Sequence, residues 1–389
     1  MRGIWQEEHF GELTELGLDT GAGLASHLKL KARIFVAREL ASHLRLKIFC
    51  HNENSICYEY YLISSIPWRS CSLKIVVTGG AGFIGSHLCA RLLEDGHSVL
   101  CVDNLLTGSE QNIDSLRNNP RFTFLQHDVT HPFSFEADAI FHLASPASPI
   151  GYMEHPIETI LVNSQGTYQM LEQARKQKAL FLFTSTSEIY GDPLVHPQRE
   201  DYWGNVNSIG PRACYDESKR LGETLTMEYY RQYQINARIV RIFNTYGPNS
   251  QADDGRMIPN FITQALQNEP LTIYGDGNKT RSICYVSDLV EGLLLALFKP
   301  YTTGEVFNLG NTEEHTVLEY AQTIIRLCNA SSPIVFESSR IDDPERRRPD
   351  ITKAQRMLGW QLKVSLEDGL KRTIEWFSTQ MSQLSSVQS

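Results

Sequence analysis

From Leu73 onward the sequence predicts an α/β fold, a doubly wound parallel sheet with a smaller C-terminal domain. Two observations predict it. Short β-branched or apolar runs alternate with longer segments of helical period, and those runs suit strands buried on both faces and joined by crossover helices. In chain order the strands fall at 73–78, 98–102, 122–126, 139–143, 180–185 and 237–242, with helices at 83–94, 157–176 and 212–232. The last two helices are long enough to cross a sheet completely. After Gly247 the alternation loosens, and Pro259, Pro270 and Pro300 punctuate shorter elements. The expected division is an N-terminal extension (1–72), the main sheet domain (73–247), an interleaved substrate-binding domain (248–378) and a flexible tail (379–389).

Residues 1–72 differ in character. A short amphipathic helix over 32–48 and a poorly ordered extension both fit them, and Tyr58, Tyr60 and Tyr61 cluster without turn logic. The 41% hydrophobic content is that of an ordinary globular protein, and the net charge of -9 argues against a nucleic-acid partner, which needs a surplus of Lys and Arg on one face. The 8 cysteines include no C-x-x-C pair, which suits reduced thiols in a cytoplasmic protein. No run approaches the roughly 18 to 20 apolar residues of a membrane span. The best candidate, 56–66, is short and contains Glu59, and Glu7, Glu8, Glu12 and Glu15 interrupt the place of a signal peptide. A soluble chain is therefore expected. No metal site is expected either, because the 12 histidines form no pair at ligand spacing with a third ligand at hand.

The run Thr78-Gly79-Gly80-Ala81-Gly82-Phe83-Ile84-Gly85 follows the first strand and opens the first helix. Gly79, Gly82 and Gly85 permit a tight turn, close backbone approach to a pyrophosphate and close helix-on-strand packing. An ordinary strand-to-helix turn could carry the same glycines. Asp103 decides against that reading: it ends the second strand about 20 residues on, where a carboxylate accepts both hydroxyls of an adenosine ribose. An acid there repels a 2′-phosphate, so NAD is favoured over NADP. Asn104, Thr107 and Gly108 follow in the same turn and join the candidate cofactor residues. Asp128 and Val129, after the third strand, are placed to reach the adenine. Leu143 and Ala144, after the fourth, are placed to pass the nicotinamide ribose. For Asp128 a solvated turn residue is the structural alternative.

Among 16 tyrosines only Tyr215 is followed four residues later by lysine, and Lys219 falls on the same helix face. A nearby ammonium lowers a phenol's pKa, so the tyrosine can take a proton from an alcohol whose carbon gives up hydride. A surface pair has the same spacing. The partner segment Thr184-Ser185-Thr186-Ser187-Glu188-Ile189-Tyr190-Gly191 separates the two readings, because a hydroxyl there lies at the carboxyl edge of the sheet, where ligands bind.

With these motifs the chain, over about 73–377, resembles the extended short-chain dehydrogenase/reductase family that modifies nucleotide sugars on a Rossmann sheet. Aligned on Tyr190-Gly191, the family's catalytic hydroxyl falls on Thr186, its tyrosine on Tyr215 and its lysine on Lys219. The stretches His142 to Pro149, Thr186-Ser187-Glu188, Gly210 to Asp216, Asp254-Gly255-Arg256, Lys279-Thr280-Arg281, and Asp342-Asp343-Pro344 with Arg348-Pro349-Asp350 resemble the branch that decarboxylates UDP-glucuronate. The resemblance implies that Glu188 orients the sugar or moves a proton, and that Arg281 brings positive charge toward the substrate carboxylate or C5. Thr186 and Glu188, two residues apart, are expected on one side of an extended segment. For the UDP-sugar, Asn244 and Arg348 are expected near the phosphates, Tyr274 against the uracil and Tyr152 near the sugar. The resemblance also implies a homodimer built on the two long helices. Rival readings are a 4,6-dehydratase, which carries Asp where Ser187 stands, a 4-epimerase, which usually lacks the glutamate, and an NAD-binding sensor or scaffold without catalysis.

Overall fold

The computed structural model describes residues 47–50, 56–59, 72–253, 255–338 and 346–387, the first two stretches and 384–387 as backbone alone. The chain divides into two units, Met1–Ile66 and Pro67–Ser389. In the first, Lys47–Cys50 and Ile56–Glu59 pair antiparallel. The helix expected over 32–48 therefore gives way to a strand at its last two residues, and its remainder lies outside the described residues.

The second unit is built on seven strands: β1 (Lys74–Thr78), β2 (Ser98–Asp103), β3 (Phe122–Gln126), β4 (Ala139–His142), β5 (Leu180–Thr186), β6 (Ala237–Ile242) and β7 (Val306–Leu309). All pair in parallel, in the order β7-β6-β5-β4-β1-β2-β3. The six strands expected from the sequence are present within a residue at each end. β7 was not expected, because Val306–Leu309 is only four residues long and lies where the alternation has loosened. It joins the main sheet by pairing with β6. The strand order reverses between β1 and β4, and there the connections diverge to opposite faces and leave a crevice at the carboxyl ends. Thr78 and His142 are register partners at that point, and Thr78 Oγ1 lies 2.7 Å from His142 Nδ1.

The helices that cover the sheet include α1 (Phe83–Glu94) and, on the other face, α2 (Pro149–Glu154), α3 (Pro156–Leu161), α4 (Thr167–Gln177) and α5 (Ala213–Tyr233). The sheet's two faces carry separate cores: Ile75, Val77, Leu88, Leu92 and Phe141 belong to one, and Val76, Ile140, Leu171, Phe181 and Phe183 to the other. That split follows from strand alternation, and burial on both faces explains why these strands read as continuously apolar. The single helix expected over 157–176 is interrupted: a π-helical turn, Val162–Gly166, separates α3 from α4. Its buried Asn163 donates from Nδ2 to both Ser145 Oγ and Ser218 Oγ at 3.0 Å, tying the turn after β4 to α5. The last helix spans Leu366–Val387, so most of the expected flexible tail has helical backbone. Among the described residues no helix is long and apolar enough to cross a membrane.

Candidate active site

A cavity of about 1020 Å³ runs along the carboxyl edge of the sheet. At one end lies the glycine turn. Gly79 sits at φ 71°, and a Cβ there would stand 2.8 Å from the Ala144 amide nitrogen; one at Gly85 would stand 2.1 Å from the Gly79 carbonyl. No side chain fits at either place, so the backbone of α1's first turn lies open to the cavity. Gly79, Gly82, Phe83, Ile84, Gly85, Asn104, Thr107, Gly108, Val129, Leu143 and Ala144 all line it.

Asp103 also lines this end. One of its oxygens accepts the Ala81 N–H at 3.0 Å and the other the Leu105 N–H at 2.9 Å. Burial raises its pKa, and those two amides counter part of the rise. Asp128 holds the Thr130 amide and hydroxyl at 2.9 and 2.8 Å, while still facing the cavity. It therefore combines the local turn role and the cavity position that the sequence left as alternatives.

At the other end β5 delivers Thr186. Thr186 Oγ1 accepts the Glu188 N–H at 3.2 Å and starts a 3₁₀ turn, Ser187–Tyr190. The expected extended segment is thus replaced by a turn, because a Thr hydroxyl offers the backbone a local partner. Thr186 and Glu188 both still reach the cavity. Tyr215, in the first turn of α5, lies beside Thr186, and both line the cavity. Burial pushes its phenol above the ordinary value, and the neighbouring Thr186 hydroxyl and the charge of Arg256 offset only part of that rise. This corrects the expectation of a phenol lowered by its lysine. Lys219 Nζ sits 5.9 Å from the Tyr215 ring centroid, donates to the Thr184 carbonyl at 2.9 Å and lies behind the cavity wall. Burial pushes the Lys219 amine itself down to about 7, which weakens the positive charge it can bring to bear on the phenol.

Glu188 is held by two arginines. Arg212 Nη2 donates to Oε2 at 2.6 Å, Arg347 Nη2 to Oε2 at 2.9 Å, and Arg347 Nη1 to Oε1. Burial alone would raise this carboxyl, yet the charges of Arg347, Arg212 and Arg281 hold it below the ordinary carboxylate value. Arg281 is 8% exposed and lines the cavity, from a two-residue strand, Thr280–Arg281, that pairs with Arg346–Arg347.

Of the expected substrate residues, Tyr152, Asn244, Tyr274 and Arg281 line the cavity. Arg348 does not. Its guanidinium reaches Glu314 at 3.6 Å, while its neighbour Arg347 faces inward. Successive side chains of an extended segment point to opposite sides, and a run of three arginines conceals which one does so. Arg212, Arg256 and Arg347 are lining arginines that the sequence did not single out, although two of them stand inside quoted motifs. Asp254 and 342–344, quoted in the same motifs, lie outside the described residues.

A parallel sheet with this glycine turn, and a Thr–Tyr pair at the carboxyl edge, define a dinucleotide-dependent enzyme of the extended dehydrogenase type. The chain belongs to the NAD dependent epimerase/dehydratase family, whose profile matches residues 75–310. It is 52% identical over 305 residues to UDP-glucuronic acid decarboxylase 1 of Arabidopsis thaliana, covering 78% of this chain and 70% of that one. It is likewise 52% identical over 308 residues to UDP-glucuronic acid decarboxylase 1 of Danio rerio, covering 79% and 73%. Among solved structures, UDP-glucuronic acid 4-epimerase of Bacillus cereus, in complex with UDP-glucuronic acid and NAD, matches with a TM-score of 0.72 at 31% identity over 79% of this chain and 99% of that one. A dTDP-glucose 4,6-dehydratase of Streptomyces venezuelae with NAD bound matches with a TM-score of 0.73 at 28% identity, over 80% and 98%.

Proposed function

We propose that this chain is a carbon–carbon lyase that converts UDP-glucuronate to UDP-xylose and CO2, with NAD held throughout. The observation that carries the reading is the Thr186–Tyr215 pair beside a Glu188 held by arginines, in a chain half identical to UDP-glucuronic acid decarboxylases. Ser187 supports it over a 4,6-dehydratase, since a serine is too weak an acid to protonate a departing hydroxyl.

The side-chain-free cradle at Gly79 and Gly85 fits a pyrophosphate. Asp103 with Asn104, Thr107 and Gly108 would hold the adenosine ribose, Asp128 and Val129 the adenine, and Leu143 and Ala144 the nicotinamide ribose, with Lys219 behind them bracing the Thr184 carbonyl. When bound, NAD supplies a hydride acceptor for the sugar C4 and later returns the hydride. The chain's own residues do the rest. Tyr215 takes the proton of the 4-hydroxyl, which leaves a ketone β to the C5 carboxylate. Such an acid loses CO2 readily because the bond electrons flow into the carbonyl, and Thr186 with protonated Tyr215 stabilises the enolate oxygen. Glu188 orients the sugar or carries the proton to C5, and Arg281 directs charge to the carboxylate. Asn244 and the inward-facing Arg347 stand toward the phosphates and sugar, Tyr274 toward the uracil and Tyr152 toward the sugar.

We further read 248–378 as the substrate-binding part, the cytoplasm as the location, and a homodimer as the working form. Exposed apolar side chains at Ile157, Leu161, Tyr168 and Leu221, on the helices flanking the π turn and on α5, support the dimer. Incubation of the purified protein with UDP-glucuronate, with CO2 and UDP-xylose followed by mass spectrometry, tests the reading. A product that keeps the carboxylate would refute it.

A further inference from the structure

Asp216 follows Tyr215 in the first turn of α5 and is 7% exposed. Its Oδ1 is buried and has no hydrogen-bond partner among the described residues. A buried carboxyl without partners is costly when ionised and calls for a reason. The groups around it carry charge from three directions. Glu188 comes from the 3₁₀ turn, Arg347 from the strand Arg346–Arg347, and Arg212 and Glu217 from its own helix and the residue before it. Tyr152 on α2 and Tyr215 and Cys214 on α5 are the neighbouring groups that feel its charge. Arg212 stands four residues before Asp216, and the Asp216 N–H donates to the Arg212 carbonyl at 3.1 Å. At that spacing a guanidinium and a carboxylate can pair along one helix face. Arg212 is instead turned to Glu188 at 2.6 Å.

We propose that Asp216 is a positioning residue: uncharged, it leaves Arg212 on Glu188, and ionised it competes for Arg212 and loosens the grip on Glu188. The inference rests on the decarboxylase reading for its consequence, but not for the proton itself. Two carboxyls in one buried site cannot both ionise cheaply, and here the arginines lie on Glu188, which leaves the proton to Asp216. Burial and the Glu188 charge push Asp216 up to about 7, which puts its ionisation within the working range of pH.

The test has two arms on the full-length protein. In the first, infrared spectra are titrated with pH. A protonated carboxyl band is expected on the acid side of about pH 7, absent from Asp216→Asn; if wild type has no such band, the proposal falls. In the second, kcat/KM with UDP-glucuronate is measured against pH. Wild type is expected to lose about tenfold per pH unit above the ionisation, while Asp216→Asn, locked neutral, keeps its acid-side value. The same falling limb in Asp216→Asn would overturn the proposal. So would a variant inactive at every pH, since the charge would then be what the site needs. Should Asp216→Asn fail to fold, wild type with carboxyl-labelled aspartate decides through the infrared arm. If wild type releases no CO2 at any pH, the decarboxylase reading fails, and the infrared arm still decides the protonation of Asp216.

Discussion

The ring of Tyr152 lies flat on that of Tyr215, with centroids 5.0 Å apart and planes 9° apart. Tyr152 is 1% exposed and its hydroxyl has no partner among the described residues, although it lines the cavity. Tyr152→Phe keeps the stack and removes the hydroxyl. It is expected to raise KM for UDP-glucuronate by about 3- to 10-fold, the value of one net hydrogen bond, with kcat nearly unchanged. Tyr152→Ala removes the support of Tyr215 as well and should lower kcat. Steady-state kinetics on both variants checks the split.

Tyr215→Phe removes the proton acceptor and little contact area. Turnover should fall at least about a hundredfold while UDP-glucuronate still binds. Calorimetry beside single-turnover CO2 release separates the two effects, and a variant that keeps most of its kcat would point to another base.

Asp103 offers the cofactor end a carboxylate already fixed by two backbone amides. Asp103→Ala should weaken NAD binding by about 1.5 to 3 kcal/mol, the scale of a charge-assisted hydrogen bond. A Cβ at Gly108 would stand 2.8 Å from Asp103 Oδ1, so Gly108→Ala should weaken NAD binding in the same direction by shifting that carboxylate. Titration calorimetry with NAD measures both.

Arg281 adds to the positive charge around Glu188 without being one of its two hydrogen-bonded arginines. If its charge serves the carboxylate or C5, Arg281→Ala should still reduce bound NAD in one turnover but release CO2 very slowly, so that nicotinamide absorbance accumulates. Absence of that absorbance at saturating substrate would assign Arg281 to alignment for oxidation instead.

Asp216 also makes stability depend on pH. Its folded-state pKa is raised from 3.8 to about 7, so the folded chain keeps a proton that the unfolded chain has lost. Stability is therefore highest below the unfolded value, falls as pH rises toward about 7 and is level above it. Asp216→Asn removes this loss: its melting temperature should exceed wild type by a margin that grows across that window, with a ceiling of about 4 kcal/mol. Thermal melts at several pH values check it.

Where a signal is local, the sequence was sufficient. Gly79 to Gly85, with Asp103 at the end of the next strand, and Tyr215 with Lys219 on one helix, can be read because a short chain separation sets their relation. The six long strands could be read because burial on both faces leaves an uninterrupted apolar run. The π turn at Val162–Gly166 left no mark, since one extra residue barely disturbs a helical pattern. Arg347 was missed in favour of Arg348 because the phase of a two-residue strand depends on its partner, Thr280–Arg281, 66 positions away. Asp216 gave no warning at all. A charged residue on a helix reads as solvated until the elements around it are known.

Glu188 and Arg347 are 159 positions apart in the chain, yet they form one ion pair in the site. The glycine turn, Asp103, Thr186 and Tyr215 all emerge from the ribosome well before Arg347 does. A chain that stopped short of the strand Arg346–Arg347 would hold every strand of the seven-stranded sheet and the glycine turn, while Glu188 lacked one of its two arginines. The order of synthesis thus puts the arginine that completes this ion pair after the last strand of the sheet, Val306–Leu309.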